Sequence, residues 1–254
     1  MNDKIKLFLL RLIPLVVFIL LWEFLVRGNS QRVFYFGLPS KICYYIVHKI
    51  ADGTLINDFM TTLSETLIGF LLGNFIGTTI GLSLWFSSRA FAISKPYIIA
   101  LGSAPIFALA PLMIIWFGTG MYSKVMIATL STVFIALFQA YSGAAEVDKN
   151  YIKLLKSMNA SKMQVFKKVI APSSIVWVAS AFKLNIGFAL LGAFIGEYIS
   201  SNAGLGHLIL VASGLFDISL VLTGVLMLIV IALGLNYVVG KLEQPIKKAI
   251  VKSL

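Results

Sequence analysis

Residues 143–172, GAAEVDKNYIKLLKSMNASKMQVFKKVIAP, form the longest polar stretch between the apolar runs of this 254-residue chain. The stretch carries six of the chain's 21 Lys and Arg residues. Tyr151, Leu154, Leu155 and Met158 follow the i, i+3, i+4, i+7 spacing that predicts one apolar helical face, with lysines largely on the other. We therefore expect short amphipathic helices held against one side of a membrane.

A bend is predicted at Asn159, because asparagine is second only to glycine in tolerating the left-handed conformation that ends a helix. Ser161 is predicted to cap a second short helix. The apolar face of this second helix comprises Met163, Phe166, Val169 and Ile170. Taken alone, such a helix pair also fits an element that lies on lipid headgroups or packs on its own bundle.

The composition is typical of a membrane protein that crosses the bilayer several times. Hydrophobic residues make up 59% of the chain and charged residues 12%, whereas soluble domains have ~45–50% and ~25%. The single cysteine, Cys43, excludes an intramolecular disulfide. The formal net charge of +11 is spread over the loops, so nucleic acid is not expected as a partner.

Six apolar runs predict one transmembrane domain, residues 1–254, built from α-helices alone. The predicted spans are residues 8–27, 60–86, 96–117, 123–142, 172–199 and 218–240, with the polar segment 144–171 after the fourth. If the N-terminus is inside, 15 Lys and Arg residues lie inside and five outside, with Lys183 in the membrane. The positive-inside rule then places both termini and the polar segment in the cytoplasm.

The second apolar run predicts a close helix contact. It has a glycine at every fourth position, namely Gly69, Gly73, Gly77 and Gly81. Helix association within lipid depends on van der Waals packing, and a row of small residues lets two backbones approach closely. The partner helix could belong to this chain or to another.

Several residues in the membrane are candidates for the wall of a path. Pro105 and Pro111 interrupt the third run, and interrupted spans are tolerated where they line a wet cavity or are buried in protein; a plain kink is the alternative. Lys183 lies about 16 Å along the fifth span, so it should face an acid, backbone carbonyls or water. Asn185 follows it on the same helix.

Motifs for catalysis are missing from the sequence. No G-x-x-x-x-G-K-[ST] segment occurs, so no nucleotide site is expected in this chain. The two histidines, His48 and His207, have no metal-ligand spacing. We therefore expect a chain that is not an enzyme and that holds no metal or cofactor of its own.

Several short motifs together resemble one family. Residues 110–120, APLMIIWFGTG, are similar to a P-L-x-I-W-F-G-x-G run, and Leu38-Pro39-Ser40 and Glu197 followed by Gly204-Leu205-Gly206 match further positions. On these residues the chain resembles the permease subunits of bacterial ABC importers. The resemblance is to the branch for nitrate, sulfonate, taurine, bicarbonate or thiamine precursors, and it covers nearly the whole chain.

The family's cytoplasmic loop reads E-A-A, three residues, G, nine residues, I, then x-L-P. The matching positions here are Lys153, Leu154, Leu155, Asn159, Val169 and Pro172. The spacing, the Ala160-Ser161 pair and Pro172 are kept, while Lys153 stands in place of an acid. The resemblance implies coupling helices that insert into ATPase grooves, formed by Lys153, Leu154, Leu155, Met158, Asn159, Ala160 and Ser161.

The resemblance further implies a type I importer fold in the bacterial inner membrane, with lipid around it. A permease dimer, a homodimer in the simplest case, would assemble with two ATP-binding cassette subunits, which bind ATP and Mg²⁺, and with an extracytoplasmic solute-binding protein. Lys183 lies where the family usually has Arg. The implied function is import of a small nitrate-, sulfonate- or taurine-like anion.

Two alternatives remain open from the sequence. Glu65 stands where these permeases often have Arg, and an acid at the outer mouth would favour a neutral or cationic heterocycle such as a thiamine precursor. Glu65 could equally pair with Lys124 or Arg32 at the outer surface. A secondary transporter without an ATPase would need intramembrane acids, for which Glu23, Glu65 and Glu197 are the candidates.

Overall fold

The computed structural model describes the backbone of residues 3–253 and the side chains of residue 10 and residues 12–245. All regular secondary structure in this part of the chain is helical, as predicted. The helices are α1 (Asp3–Arg27), α2 (Ser30–Phe36), α3 (Pro39–Ala51), α4 (Thr54–Leu84), α5 (Ser88–Gly102), α6 (Ile106–Phe117), α7 (Met121–Ala145), α8 (Lys149–Ser157), α9 (Lys162–Val165), α10 (Ala171–Ile199), α11 (Leu205–Gly214) and α12 (Ile218–Ser253). A π-helical turn, Phe166–Ile170, joins α9 to α10.

Four helical stretches among the described residues are long and apolar enough to cross a membrane. They are Thr54–Leu84, Met121–Ala145, Lys162–Ile199 and Ile218–Pro245. The pair α5 and α6 passes the same test only when taken together, and it is bent by 91° at its break, as in a broken span or a re-entrant loop. The predicted first span, residues 8–27, coincides with α1, although some of its side chains lie outside the described residues.

The third predicted span differs from the structure in its start and its shape. The helix begins at Ser88 rather than Pro96, because the Ser87 hydroxyl accepts a hydrogen bond from the Ala90 N–H at 3.2 Å and so caps it earlier. Pro105 ends the break between α5 and α6, as expected for a residue without an N–H. Pro111 lies inside α6 without breaking it.

Helix α7 lies at the centre of the bundle, between α4 and α10. The glycine row of α4 faces α7 of the same chain, which answers the question that the sequence left open. A Cβ on Gly77 or Gly81 would lie 2.8 or 3.0 Å from the Cβ of Ala136 or Ala140, closer than side chains approach. Gly69 and Gly73 are tighter still against Ala128 and Thr132.

The C-terminal end of α1 is fixed to the start of α3. Both Glu23 carboxylate oxygens accept hydrogen bonds from Ser40, one from its N–H at 3.0 Å and one from its hydroxyl at 2.8 Å. Leu38 is the N-cap of α3, without a side-chain cap of its own, and Pro39 is the first residue, so Ser40 lies inside the first turn. A carboxylate from another helix satisfies the free N–H instead.

The middle of α3 is tied to the start of α12. The Tyr45 hydroxyl donates a hydrogen bond to the Asp217 carboxylate, whose other oxygen accepts from the Leu220 N–H at 3.0 Å. The hydrogen bond to Asp217, with burial, raises the pKa of Tyr45 to about 12. Asp217 therefore serves as a cap of α12 and an anchor for α3 at once.

Candidate coupling surface and buried polar pairs

Helices α8 and α9 form the bent pair that the sequence predicts. Asn159 has φ 58°, in the left-handed region. The Ser161 hydroxyl accepts from the Gln164 N–H at 3.3 Å, and the Gln164 side chain accepts from the Ser161 N–H at 2.7 Å. This reciprocal capping box defines the start of α9, so the predicted bend and cap are both confirmed.

One side of this pair is packed against the end of α4. Ile152 and Leu155 of α8 contact a buried cluster that includes Val165 and Ile170. The Lys162 ammonium donates to the Phe86 carbonyl and lies 5.7 Å from the centre of the Trp85 ring. Apolar burial and this cationic contact together hold α8 and α9 in a fixed place.

The other side of α8 is an exposed apolar strip with cations beside it. We define the coupling strip as Tyr151, Leu154 and Met158, whose exposed fractions are 47, 59 and 71%. Lys153 and Lys156 are also exposed. Leu155 faces the protein, so the apolar face predicted from spacing divides into a buried half and an exposed half.

A buried polar group lies at the opposite end of the bundle. The Glu197 carboxylate is fully buried and accepts from the Thr62 hydroxyl and the Gly206 N–H, both at 2.7 Å. The Thr62 oxygen in turn accepts from the Leu205 N–H at 2.9 Å. Glu197 and Thr62 thus satisfy the free N–H groups at the start of α11 and join α4, α10 and α11.

Glycine is required next to this carboxylate. A Cβ on Gly206 would lie 2.7 Å from the Glu197 Cβ, and one on Gly204 would overlap the carboxyl group itself. Gly204 also has φ 102°, in a region that other residues rarely adopt. The spacing between Glu197 and the Gly-Leu-Gly segment therefore has a packing explanation.

Glu65 and Lys124 are buried beside Glu197. Their exposed fractions are 2% and 1%, and both interact electrostatically with it. The Lys124 ammonium donates to the Thr119 carbonyl. Glu65 is therefore inside the helix packing and not at an open outer mouth, so the argument from its charge to a cationic solute loses its basis.

Asn185 is also part of the packing. Its amide donates to the Asn74 side-chain oxygen at 2.7 Å, and the Asn74 amide donates to the Phe70 carbonyl at 2.7 Å. Asn185 is fully buried. The pair joins α4 to α10, and this geometry gives a structural role to a residue predicted to face a path.

Lys183 has the acidic partner that its position requires. Its ammonium lies 3.0 Å from a carboxylate oxygen of Glu243, on α12. The Lys183 side chain is 55% exposed and that of Glu243 10%. Of the two predicted path residues on α10, Lys183 has an exposed side chain, whereas Asn185 is buried.

The predicted path residues are not gathered into one site. Glu65 and Asn185 lie in separate buried contacts, while Pro105 lies at the break before α6. Three partner residues were not identified from the sequence, namely Asn74 for Asn185, Thr62 for Glu197 and Glu243 for Lys183. A signal existed for Glu243, because it is the single acidic residue between positions 218 and 245.

Most of these features lie within a region that matches a known family, and Thr62 and Glu65 lie just before it. The model of the "Binding-protein-dependent transport system inner membrane component" family matches residues 66–248. The chain belongs to this family. It is therefore a permease component of ABC importers, a multi-pass inner-membrane protein and not an enzyme, and the secondary-transporter alternative is wrong.

Relatives of this family differ in the solute that their names give. The formylaminopyrimidine transport permease protein ThiX of Halalkalibacterium halodurans is 28% identical over 200 residues, 76% of this chain and 78% of that one. The putative aliphatic sulfonates transport permease protein SsuC of Bacillus subtilis is 27% identical over 239 residues, 93% and 86% of the two chains. Membership in the family thus leaves the solute open.

The fold agrees with a solved transporter. A chain from the inward-facing MetNI methionine ABC transporter superposes with a TM-score of 0.69 at 15% identity, covering 78% of this chain and 98% of that one. This similarity confirms the importer permease fold that the resemblance implied. At such low identity it carries no information on the solute.

Proposed function

We propose that two copies of this chain form the translocation path of an ATP-driven importer, with α8 and α9 as its coupling helices. A separate pair of ATPase subunits would bind ATP and Mg²⁺, and a binding protein would deliver the solute. The observation that carries the proposal is the coupling strip, since an exposed apolar row beside lysines on a rigidly held helix suits a partner groove.

The charge of this surface defines the groove that would receive it. Lys153 and Lys156 flank Leu154 on the exposed side of α8, and the exposed Lys149 at the start of the same helix adds to the positive potential. Acidic side chains around an apolar floor would complement this surface and speed its association. The ATPase is therefore expected to be a dedicated partner with an acidic groove.

Substitution of one lysine tests this contact. We expect Lys153→Glu to lower co-purification of the ATPase with the tagged permease by several-fold, and raised salt to weaken the wild-type complex. Lys168→Glu makes the same charge change at an exposed residue of the π-helical turn and is the matched control. Equal ATPase recovery with both variants would refute the proposed surface.

The topology of this proposal also has a direct test. The positive-inside count places α3 outside and α8 in the cytoplasm. Cys43 is the chain's sole cysteine and is exposed on α3, so a membrane-impermeant maleimide should label it in right-side-out vesicles. The Cys43→Ser, Ser157→Cys variant should be labelled only after the vesicles are opened. The reverse labelling pattern would show that α3 is cytoplasmic and α8 is outside.

For the solute, we propose a small anion of the nitrate, sulfonate or taurine kind. The support is that the Lys183 side chain is 55% exposed on α10, whereas Glu65 is buried. The neutral or cationic heterocycle remains the alternative, because one relative's name specifies a pyrimidine. The ligand that co-purifies with the cognate binding protein would distinguish the two.

Lys183→Met tests the contribution of this residue to transport. With the assembled complex in vesicles, we expect solute uptake per assembled complex to fall at least several-fold, beyond any fall in the amount of complex that follows from losing the ion pair with Glu243. Ser180, one turn earlier and also exposed, provides the control variant Ser180→Ala. Loss of the folded complex with Lys183→Met would assign the lysine to structure instead.

A further inference from the structure

A groove of about 780 Å³ separates α1 from the first turns of α12. Its walls are apolar side chains, chiefly Phe18, Leu21, Trp22 and Leu25 of α1 with Ile218 and Leu222 of α12. Helix α2 closes one end of the groove with aromatic side chains. The groove lies outside the coupling strip and the buried pairs described above.

The groove follows the axis of a membrane helix. From Phe18 to Val26 the wall runs eight residues, or about 12 Å, along α1. Its closed end lies at α2, where Phe34, Tyr35 and Phe36 are 49 to 69% exposed. Such aromatic groups are typical of the headgroup level of a bilayer, so the groove descends from that level into the hydrocarbon layer.

A cation lies at the headgroup end. Of the described residues that line the groove, Arg32 is the one with a charged side chain. Its Nη1 donates to the Leu25 carbonyl at 2.9 Å, which holds the guanidinium beside the α2 end of the groove, and the side chain is otherwise exposed. The planar guanidinium is the side chain best suited to two-point contact with a phosphate.

From this arrangement we infer that the groove binds one acyl chain of an anionic phospholipid whose phosphate contacts Arg32. The apolar wall matches the hydrocarbon chain, and the guanidinium at the α2 end selects a headgroup with net negative charge. With the proposed topology, this lipid belongs to the non-cytoplasmic leaflet. It would bridge α1 to α12.

The bridge matters because α1 is weakly held by its own chain. Its main contacts are with α2 and α3, near its outer end. The large apolar side chains between residues 12 and 21 are 36 to 63% exposed. A bound lipid would therefore add contacts between α1 and the bundle at a level where the described side chains of α1 are open.

Trp22 provides a probe inside the groove. We would change Trp85, Trp116 and Trp177 to Phe in the full chain, reconstitute it in vesicles and quench Trp22 fluorescence with lipids brominated on the acyl chains. Brominated phosphatidylglycerol should quench several-fold more than brominated phosphatidylcholine at the same mole fraction. Arg32→Gln should abolish this difference.

Arg27→Gln is the matched control, because Arg27 is an exposed cation at the same end of α1 whose side chain lies 3.8 Å from Glu23 and does not line this groove. It should leave the lipid preference intact. Equal quenching by both lipids would overturn the inference, because lipids that surround the helix without selectivity would then account for the quenching. Absence of quenching by either lipid would also overturn it, since protein, such as a second copy, would then cover Trp22.

A second measurement avoids the tryptophan substitutions. The wild-type complex, released from detergent in a mass spectrometer, should retain bound phosphatidylglycerol in preference to phosphatidylethanolamine. Arg32→Gln should lose this lipid several-fold and Arg27→Gln should keep it. Equal retention by the two variants would contradict a site at Arg32.

Discussion

Lys183 of α10 and Glu243 of α12 form a 3.0 Å ion pair between two membrane helices. Glu243 is largely buried and Lys183 half exposed, so the pair is desolvated on one side. Removing one partner of a buried pair leaves an uncompensated charge, which costs more than the pair itself contributes.

We predict that Glu243→Gln destabilises the permease by about 1–3 kcal/mol, less than for a fully buried pair because Lys183 reaches solvent. The exchanged pair, Lys183→Glu with Glu243→Lys, should recover most of this loss. Melting temperatures in detergent would measure both. If the double variant is no more stable than Lys183→Glu or Glu243→Lys alone, the two residues are not energetically coupled.

The glycine row of α4 predicts that the stability of the permease falls steeply as the side chain at these positions becomes larger. Gly73→Ala should cost about 1–3 kcal/mol, because its Cβ would overlap Thr132 and overpacking forces backbones apart. Gly73→Leu should abolish the monodisperse peak in fluorescence size-exclusion chromatography. A Cβ on Gly234 of α12 would meet no atom within 4 Å, so Gly234→Ala and Gly234→Leu should preserve that peak. Similar losses at both sites would contradict the α4–α7 contact.

The bend between α8 and α9 predicts a distinction between Gly and Ala at one position. Asn159→Gly should be neutral, whereas Asn159→Ala should cost roughly 1 kcal/mol because alanine is strained in the left-handed region. Since the bend orients the coupling strip, the alanine variant should also lower solute-stimulated ATP hydrolysis. Equal solute-stimulated ATP hydrolysis in the two variants would show that the geometry of the bend does not affect coupling.

Loss of the Glu197 carboxylate should loosen the start of α11. Glu197→Ala leaves the Gly206 N–H and the Thr62 hydroxyl without this acceptor, at about 1–3 kcal/mol for each buried group. Hydrogen exchange of residues 200–208 should rise accordingly. Glu146→Ala, at an exposed acid, is the control and should leave exchange in this segment unchanged. Unchanged protection in both variants would mean that α11 is held by apolar packing alone.

Local chemistry made part of this structure predictable. The left-handed Asn159 and the Ser161 cap each follow from the preferences of one residue in its immediate setting, whereas for Lys183 an acid was one of three partners that the sequence left open. The row of small residues on α7, at Ala128, Thr132, Ala136 and Ala140, repeats the four-residue period of the α4 glycines. Comparing the two rows would have identified the partner helix.

Contacts between distant segments were beyond such reasoning. Glu23 caps α3 from another helix, and Asn185 is paired with Asn74, 111 positions earlier. Both depend on how helices are placed against one another, and apolar periodicity does not determine that placement. Leu155 likewise faces inward because α8 is packed on the end of α4, which its own sequence pattern does not reveal.

The π-helical turn Phe166–Ile170 has a mechanical consequence. It lets α9 run into α10 without a break, so Lys162–Ile199 is one rod of 38 residues, about 57 Å long. A tilt of about 5° applied at its α9 end would displace its far end by roughly 5 Å over that length. Glu197 and the start of α11 lie at that far end, so a small angular motion beside the coupling strip becomes a displacement on the opposite face of the membrane.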